Sequence, residues 1–289
     1  MEQRHKYEYH VDPNTQTAAA KVVRMVGSDK QVLEIGAGPG SITRLIKENN
    51  HCQVTAIELD EKAIEKLTPF CERVYKCDLN DIAWASDVTK EGKFQVVVAA
   101  DVLEHLFNPW ATLTTIRDIL DEDGYVVVSL PHIGHNAVIA CLANEDFAYQ
   151  EWGLLDKTHI RFFGIRNIQR LFNDAGFKII EAEFVVKPPE QTEFADYWRR
   201  TPWKLKHSLT NNRFGLVYQV VVKATPHDEP QKGLNLSALP VPQTSSPIPP
   251  STSLKKRLVY HLKTLLLPYM SLEARTRLGH FLHRLGIKL

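Results

Sequence analysis

The chain has 289 residues, 44% of them hydrophobic, and its 35 basic and 34 acidic side chains leave a formal net charge of +1. That length exceeds one ordinary domain but scarcely makes two, so one core with appendages is expected. Cys52, Cys71, Cys77 and Cys141 show no C-x-x-C spacing, which argues against a zinc ribbon or disulfide frame and for reduced thiols in a cytoplasmic protein; no signal-peptide core or membrane-spanning apolar run is evident. In chain order, a helix is predicted over 14–25, and a strand from Gln31 runs into Gly36, Gly38 and Gly40 before a helix over 41–48. A strand over 53–58, a helix over 61–67 and a short strand over 73–76 follow. Next come a strand over 94–99 and a helix over 109–120. Asp123-Gly124 is expected to open a fifth strand over 125–130. A helix over 166–175 ends at Gly176, and strands over 177–186 and 214–223 close the pattern. This alternation predicts a mostly parallel sheet with helices on both faces.

The spacing of the glycines separates two classes of nucleoside cofactor. A dinucleotide fingerprint needs its third glycine at position 41, which is Ser here. The segment V-L-E-I-G-A-G-P-G instead places Glu34 inside the strand and the glycines at alternate positions. E-x-G-x-G-x-G resembles the first motif of class I S-adenosylmethionine-dependent methyltransferases. The resemblance covers about residues 30–224 and implies a Rossmann-like seven-stranded sheet of order 3-2-1-4-5-7-6. It implies S-adenosylmethionine as cofactor, with Glu34, Gly36, Ala37, Gly38 and Gly40 forming its loop.

The next strand ends supply matching chemistry. Glu58, 20 positions after Gly38, is a carboxylate able to accept from both ribose hydroxyls, with Leu59 beside it. Asp78 and Leu79 stand where the family holds the adenine. Ala100 and Asp101 begin a stretch, A-D-V-L-E-H, resembling the fourth motif, which lines the methyl-transfer pocket. A-D-V-L in place of N-P-P-Y argues against methylation of adenine N6 or glutamine. No Y-x-x-x-K pair supports a short-chain dehydrogenase.

Two stretches, 131–161 and 188–212, exceed a minimal fold of this kind and carry Tyr149, Trp152, Tyr197, Trp198, Arg199, Arg200 and Trp203. Aromatic and basic residues together suit sugar rings and phosphates, although such aromatics also pack insertions onto a core. Within the first, L-D-K-T-H-I-R-F-F resembles segments of methyltransferases of bacterial surface-polysaccharide biosynthesis, which methylate a sugar hydroxyl. The expected acceptor is thus a sugar or lipid-linked glycan, with His159 as base. His159 also fits a core histidine bonded to Asp156 or Asp101. Asp101, Glu104 and His105 with a later His159 resemble the E-x-x-E-H set that holds a divalent ion in small-RNA 2′-O-methyltransferases, with Asp standing for the first Glu. Glu104, His105 and His159 are therefore the catalytic candidates, and a divalent metal is an open alternative. Other readings are a small-molecule, quinone-like O-methyltransferase and a catalytically silent fold organising a membrane glycosyltransferase complex.

Past Thr225 the composition changes. Residues 226–253 hold seven of 16 prolines and read as a linker between a domain over 1–225 and a tail over 254–289. The tail has eight Lys or Arg against one acid, a net +7 that leaves −6 for the rest. Leu254, Leu258, Leu262, Leu265 and Tyr269, then Leu278, Phe281, Leu282 and Leu285, recur at helical spacing. A basic amphipathic helical tail suits an anionic membrane surface, making the protein peripheral on the inner face of the cell membrane, or suits a glycosyltransferase partner. It also suits docking on the catalytic domain. Nucleic acid is not an expected partner, because the acidic domain repels phosphates.

Overall fold

The computed structural model describes residues 5–81, 83–228 and 232–243. Its strands are β1 (Gln31–Ile35), β2 (Gln53–Glu58), β3 (Arg73–Lys76), β4 (Phe94–Ala100), β5 (Leu120–Pro131), β6 (Phe177–Val186) and β7 (Val217–Pro226). The helices are α1 (Ala18–Val26), α2 (Thr43–Glu48), α3 (Glu61–Leu67), α4 (Pro109–Ile119), α5 (Asn136–Ala143), α6 (Ile165–Asp174), α7 (Ala195–Arg200) and α8 (Trp203–Leu209). The sheet runs β3-β2-β1-β4-β5-β7-β6, as the resemblance implies. β1 to β5 pair in parallel, whereas β7 is antiparallel to both β5 and β6.

Near-continuous apolar strands follow from burial on both faces. Val32, Val54, Val96, Val98, Val127 and Val221 share one core with Val22, Val23 and Val26 of α1 and Leu45 and Ile46 of α2. Leu33, Ile57, Val97, Ala99, Val126 and Val128 point the other way, against Leu113 and Ile116 of α4 and Ile168, Leu171 and Phe172 of α6. Period-two alternation thus feeds two layers, each buried valine or leucine contributing about 1.5–3 kcal/mol. All parallel strands end on one edge of the sheet, so their C-terminal residues converge.

Several predicted boundaries shift for local reasons. α1 starts at Ala18 rather than near 14, because Thr17 caps it by accepting from the Ala20 N–H. α2 starts two residues later than expected; Gly40 takes φ +86°, and Ser41 Oγ accepts from the Tyr9 N–H instead of entering the helix. β5 begins at Leu120, not 125: Leu120 pairs Phe94 and Tyr125 pairs Val96, so Asp123-Gly124 lies in a bulge rather than a turn. β7 begins three residues later than expected, since Phe214 turns back to pack edge-to-face on Phe184 at 5.8 Å.

The domain boundary at 225 needs correcting. Leu236 is fully buried in the α4–α6 core, with Leu239 and Val241 against it. The Leu236 N–H donates to Gln169 Oε1, and Arg213 donates to the carbonyls of Ser237 and Leu239. The compact unit takes in the described residues up to Gln243, because this part of the proline-rich stretch brings its own apolar anchors. The tail over 254–289 lies outside the described residues. No helix among the described residues is long and apolar enough to cross a membrane.

Candidate active site

The converging strand ends open into one cleft of about 1000 Å³. Every predicted site residue lines it except Gly40: Glu34, Gly36, Ala37, Gly38, Glu58, Leu59, Asp78, Leu79, Ala100, Asp101, Glu104, His105 and His159. Gly40 instead backs onto α3, where an added Cβ would lie 3.0 Å from Phe70 and 3.3 Å from Leu67.

The loop between β1 and α2 is built by two carboxylates. Glu34, 2% exposed, accepts from Thr43 Oγ at 2.7 Å and so ties the strand to α2. Burial pushes its carboxyl up to about 7. Glu58, at the end of β2, accepts from the Gly38 N–H at 2.7 Å and from the N–H groups of Leu59 and Asp60 at 2.7 and 2.9 Å. Gly36 has φ +62°, and an added Cβ would lie 2.8 Å from Val102. Asp78 accepts from Asn80, whose own Oδ1 takes the Phe107 N–H at 2.8 Å, joining the β3 and β4 loops.

Around the end of β4 the cleft changes character. Asp101 takes φ +54° and is bound by Ser129 Oγ at 2.7 Å and by Gln219 Nε2 at 2.9 and 2.8 Å. Burial raises its carboxyl despite those bonds. Glu104 is fully buried, and neither carboxyl oxygen has a hydrogen-bond partner among the described residues. Burial, then the nearby Asp101, holds it well above the usual carboxylate range. Its Oε1 lies 3.9 Å from His159 Nε2.

The His159 N–H donates to the Asp156 carbonyl at 2.9 Å, but among the described residues its ring bonds neither aspartate carboxylate proposed as its structural partner. Its Nδ1 sits 3.4 Å from the Leu154 carbonyl and its ring packs edge-on against His105 at 4.7 Å. Burial, with His105 beside it, lowers its pKa to about 4. His105 is held by Nδ1, 3.1 Å from both the carbonyl and the hydroxyl of Thr158, and burial lowers it too. Its Nε2 has no protein partner among the described residues. One ligand atom from each of Glu104, His105 and His159 falls within 4.8 Å of the others. Asp101 is not in this group, correcting the four-residue set, because Ser129 and Gln219 already hold it.

Sequence reasoning missed three parts of the cleft. Residues 5–9 cross it: Lys6 bonds Asp156 at 3.1 Å, Ser41 Oγ lies 3.4 Å from the Tyr7 carbonyl, and Glu8 bonds Lys66 at 2.6 Å. Gln219 and Lys187 complete the far wall, along with Tyr218. The mix of aromatic and charged residues over 5–9 was the available signal; Lys187 and Gln219 had none beyond lying at strand ends. Of the inserted aromatics, Phe147, Phe162, Phe194 and Tyr197 join a satellite core with α5, whereas Tyr149 and Trp152 are 60% and 58% exposed. Trp152 lines the cleft.

A left-handed glycine loop, a carboxylate at the end of the second strand and this strand order define a nucleoside-cofactor methyltransferase fold. Residues 4–182 match the family described as a methyltransferase domain, and the chain belongs to it. A stretch of 101 residues, 32% of this chain, is 30% identical to ribosomal RNA small subunit methyltransferase A of Jannaschia sp. (strain CCS1). That match covers 35% of the relative, so the chain spans about a third of its length. A Bacillus halodurans C-125 protein with a provisional methyltransferase assignment superposes with a TM-score of 0.51 at 16% identity, covering 71% of this chain and 97% of that one. The 1,6-didemethyltoxoflavin-N1-methyltransferase of Burkholderia thailandensis was solved with 1,6-didemethyltoxoflavin and S-adenosylhomocysteine. It gives a TM-score of 0.47 at 17% identity over 75% of this chain and 80% of that one. The chain thus carries a methyltransferase domain. Its cleft fits S-adenosylmethionine in donor type, since Glu34, Glu58, Asp60 and Asp78 line the half beside the glycine loop and can accept from hydroxyl and amino groups.

Proposed function

We propose that this enzyme methylates a hydroxyl oxygen on a sugar of a surface or lipid-linked polysaccharide. The observation that carries this reading is the pairing, in one cleft, of a neutral imidazole with a free Nε2 and a solvent-exposed Trp152. An aromatic face is suited to the apolar face of a sugar ring, and the L-D-K-T-H-I-R-F-F resemblance supports the same acceptor. When bound, S-adenosylmethionine supplies an electrophilic methyl group. Glu58 would accept from the ribose hydroxyls, Asp78 and Leu79 would hold the adenine, Glu34 would order the loop near the amino group, and Asp101 would line the methyl-transfer pocket. Ala37, Leu59 and Ala100 line the seat.

An alcohol is a poor nucleophile, and a positioned base assists by about 10²- to 10⁴-fold. His105 is the better placed base: its Nδ1–H donates to the Thr158 carbonyl, leaving the Nε2 lone pair for the acceptor proton. His159 takes a positioning role behind it, packed between His105 and the buried Glu104. Incubation with deuterated-methyl cofactor and methyl counting on lipid-linked glycans, neutral sugars and quinone-like phenols tests the acceptor. Label is expected on a glycan oxygen. Label only on phenols would replace this reading, and none on any acceptor would favour the silent organiser.

Metal assistance is a second reading, favoured by the two partnerless oxygens of buried Glu104. Glu104, His105 and His159 fit a divalent ion in number and donor type, and such an ion would lower the pKa of the acceptor hydroxyl.

The +7 charge and apolar repeat of the tail over 254–289 support attachment to an anionic membrane surface. A glycosyltransferase partner is the other candidate. Full-length protein is expected to pellet with anionic vesicles, and a chain ending at Ser253 to stay in solution. Equal pelleting of both would sink the anchor.

A further inference from the structure

The acceptor half of the cleft contains a cation with no anionic partner among the described residues. Lys187 follows β6 directly, on the edge of the sheet where the strands end, and lines the cleft with Trp152, Gly153, Tyr218 and Gln219. Its backbone is fixed on both sides, because the Lys187 N–H donates to the Leu216 carbonyl and its own carbonyl accepts from His135 Nε2 at 2.8 Å. Its ammonium stands 4.7 Å from the Tyr218 ring centroid. Among the described residues no carboxylate lies within ion-pairing reach of it.

Three carboxylates near this wall are engaged elsewhere. Asp101 is held by Ser129 and Gln219, and Asp156 by Lys6 and Thr158. Glu193 accepts from the Leu154 N–H at 2.8 Å and from Tyr218 Oη at 3.0 Å on each oxygen. That last contact also builds the wall. Gly153 has φ +94°, and an added Cβ would lie 2.2 Å from Glu193 Oε1, so the carboxylate clamps the turn that carries Trp152. Lys187 and Trp152 are thus set by a shared framework of Tyr218 and Glu193.

The two lysines of the cleft differ in pairing: Lys6 bonds Asp156 at 3.1 Å, whereas Lys187 has no ion-pair partner among the described residues. The cofactor half carries Glu34, Glu58, Asp60 and Asp78, which suit a cofactor bearing positive charge and hydroxyl donors. A second cation there would oppose that function, whereas an ammonium beside an exposed indole suits a ring that bears negative charge.

We propose that Lys187 selects acceptors carrying an anionic group, a carboxylate or a phosphate, on or next to the ring that Trp152 covers. This rests on the sugar reading for the ring, while the anion contact stands on Lys187 alone.

Ligand-observed NMR on the full chain saturated with S-adenosylhomocysteine tests it, using glucuronate, glucosyl phosphate and glucose as probes. At least one anionic probe is expected to bind about tenfold or more tighter than glucose. Lys187→Met should erase that preference and leave S-adenosylhomocysteine affinity unchanged, while Lys187→Arg should retain most of it. Lys187→Gln serves for the same comparison should the Met variant fail to fold. The glucuronate and glucosyl phosphate arms distinguish the two anion types. Equal binding of all three probes, a preference that survives Lys187→Met, or no binding of either anion would overturn the proposal. Labelled neutral glycans with no anion preference would spare the sugar reading and sink this one. Anion preference without any methylated glycan would do the reverse.

Discussion

His105→Ala is expected to lower kcat by about 10²- to 10⁴-fold while S-adenosylmethionine affinity stays within a small factor. The imidazole is held through Nδ1 by Thr158, its Nε2 is unclaimed, and burial keeps it neutral, so it can receive the acceptor proton as the methyl group moves. Positioning of the two reactants in the cleft is untouched by the substitution, and that effect can supply about 7–11 kcal/mol on its own, so residual turnover should remain measurable. His159→Ala should also reduce kcat, because it removes the ring against which His105 packs at 4.7 Å. Stopped assays at saturating cofactor check both. Unchanged kcat in both variants would remove the pair from the chemistry. Treatment with EDTA separates the two ways the cluster can act: turnover that persists supports the base, and turnover lost to EDTA and restored by Mg²⁺ or Mn²⁺ supports a metal held by Glu104, His105 and His159.

The fold was legible because burial on both faces writes itself into composition. β2, β3 and β6 fall at the predicted residues, since each is a β-branched or aromatic run bounded by clear breaks. Boundaries moved where a single side chain or turn decides them: Thr17 capping α1, Ser41 bonding Tyr9, and the bulge before Tyr125. The cofactor half of the site was legible too, because a glycine loop after a strand has few other uses. The acceptor half was not. The partners of Asp101 are Ser129 and Gln219, 28 and 118 positions away, and nothing local marks either one. Likewise, the titration of histidine near neutrality points to His159 as base, whereas our preference for His105 rests on its Nδ1 contact with Thr158, 53 positions away, which nothing local marks. The linker was misread for the opposite reason: proline content dominated, and Leu236, Leu239 and Val241 were too few to register as a core-facing segment.

Glu58→Ala is expected to weaken S-adenosylmethionine binding by about 2–4 kcal/mol, which is roughly 30- to 1000-fold. The carboxylate accepts from the N–H groups of Gly38, Leu59 and Asp60, so it shapes the loop, and Glu58 lines the cleft. An ionised carboxylate offers about four acceptor positions, and charge-assisted bonds to hydroxyls are stronger than neutral ones. Glu58→Gln keeps the size and one acceptor oxygen, so it should lose less than Glu58→Ala and separates the charge from loop support. The loss should fall on affinity rather than on folding, because Glu58 is the last residue of β2 and its apolar neighbours Ala56 and Ile57 stay buried. Calorimetric titration of S-adenosylmethionine into the wild-type chain and Glu58→Ala, with thermal unfolding of each recorded alongside, tests the cofactor seat most directly. The account predicts saturable binding of one cofactor per wild-type chain and a loss of about 30-fold or more in a variant that still unfolds cooperatively. Equal affinity in the two folded proteins, or no binding to the wild type, would contradict it.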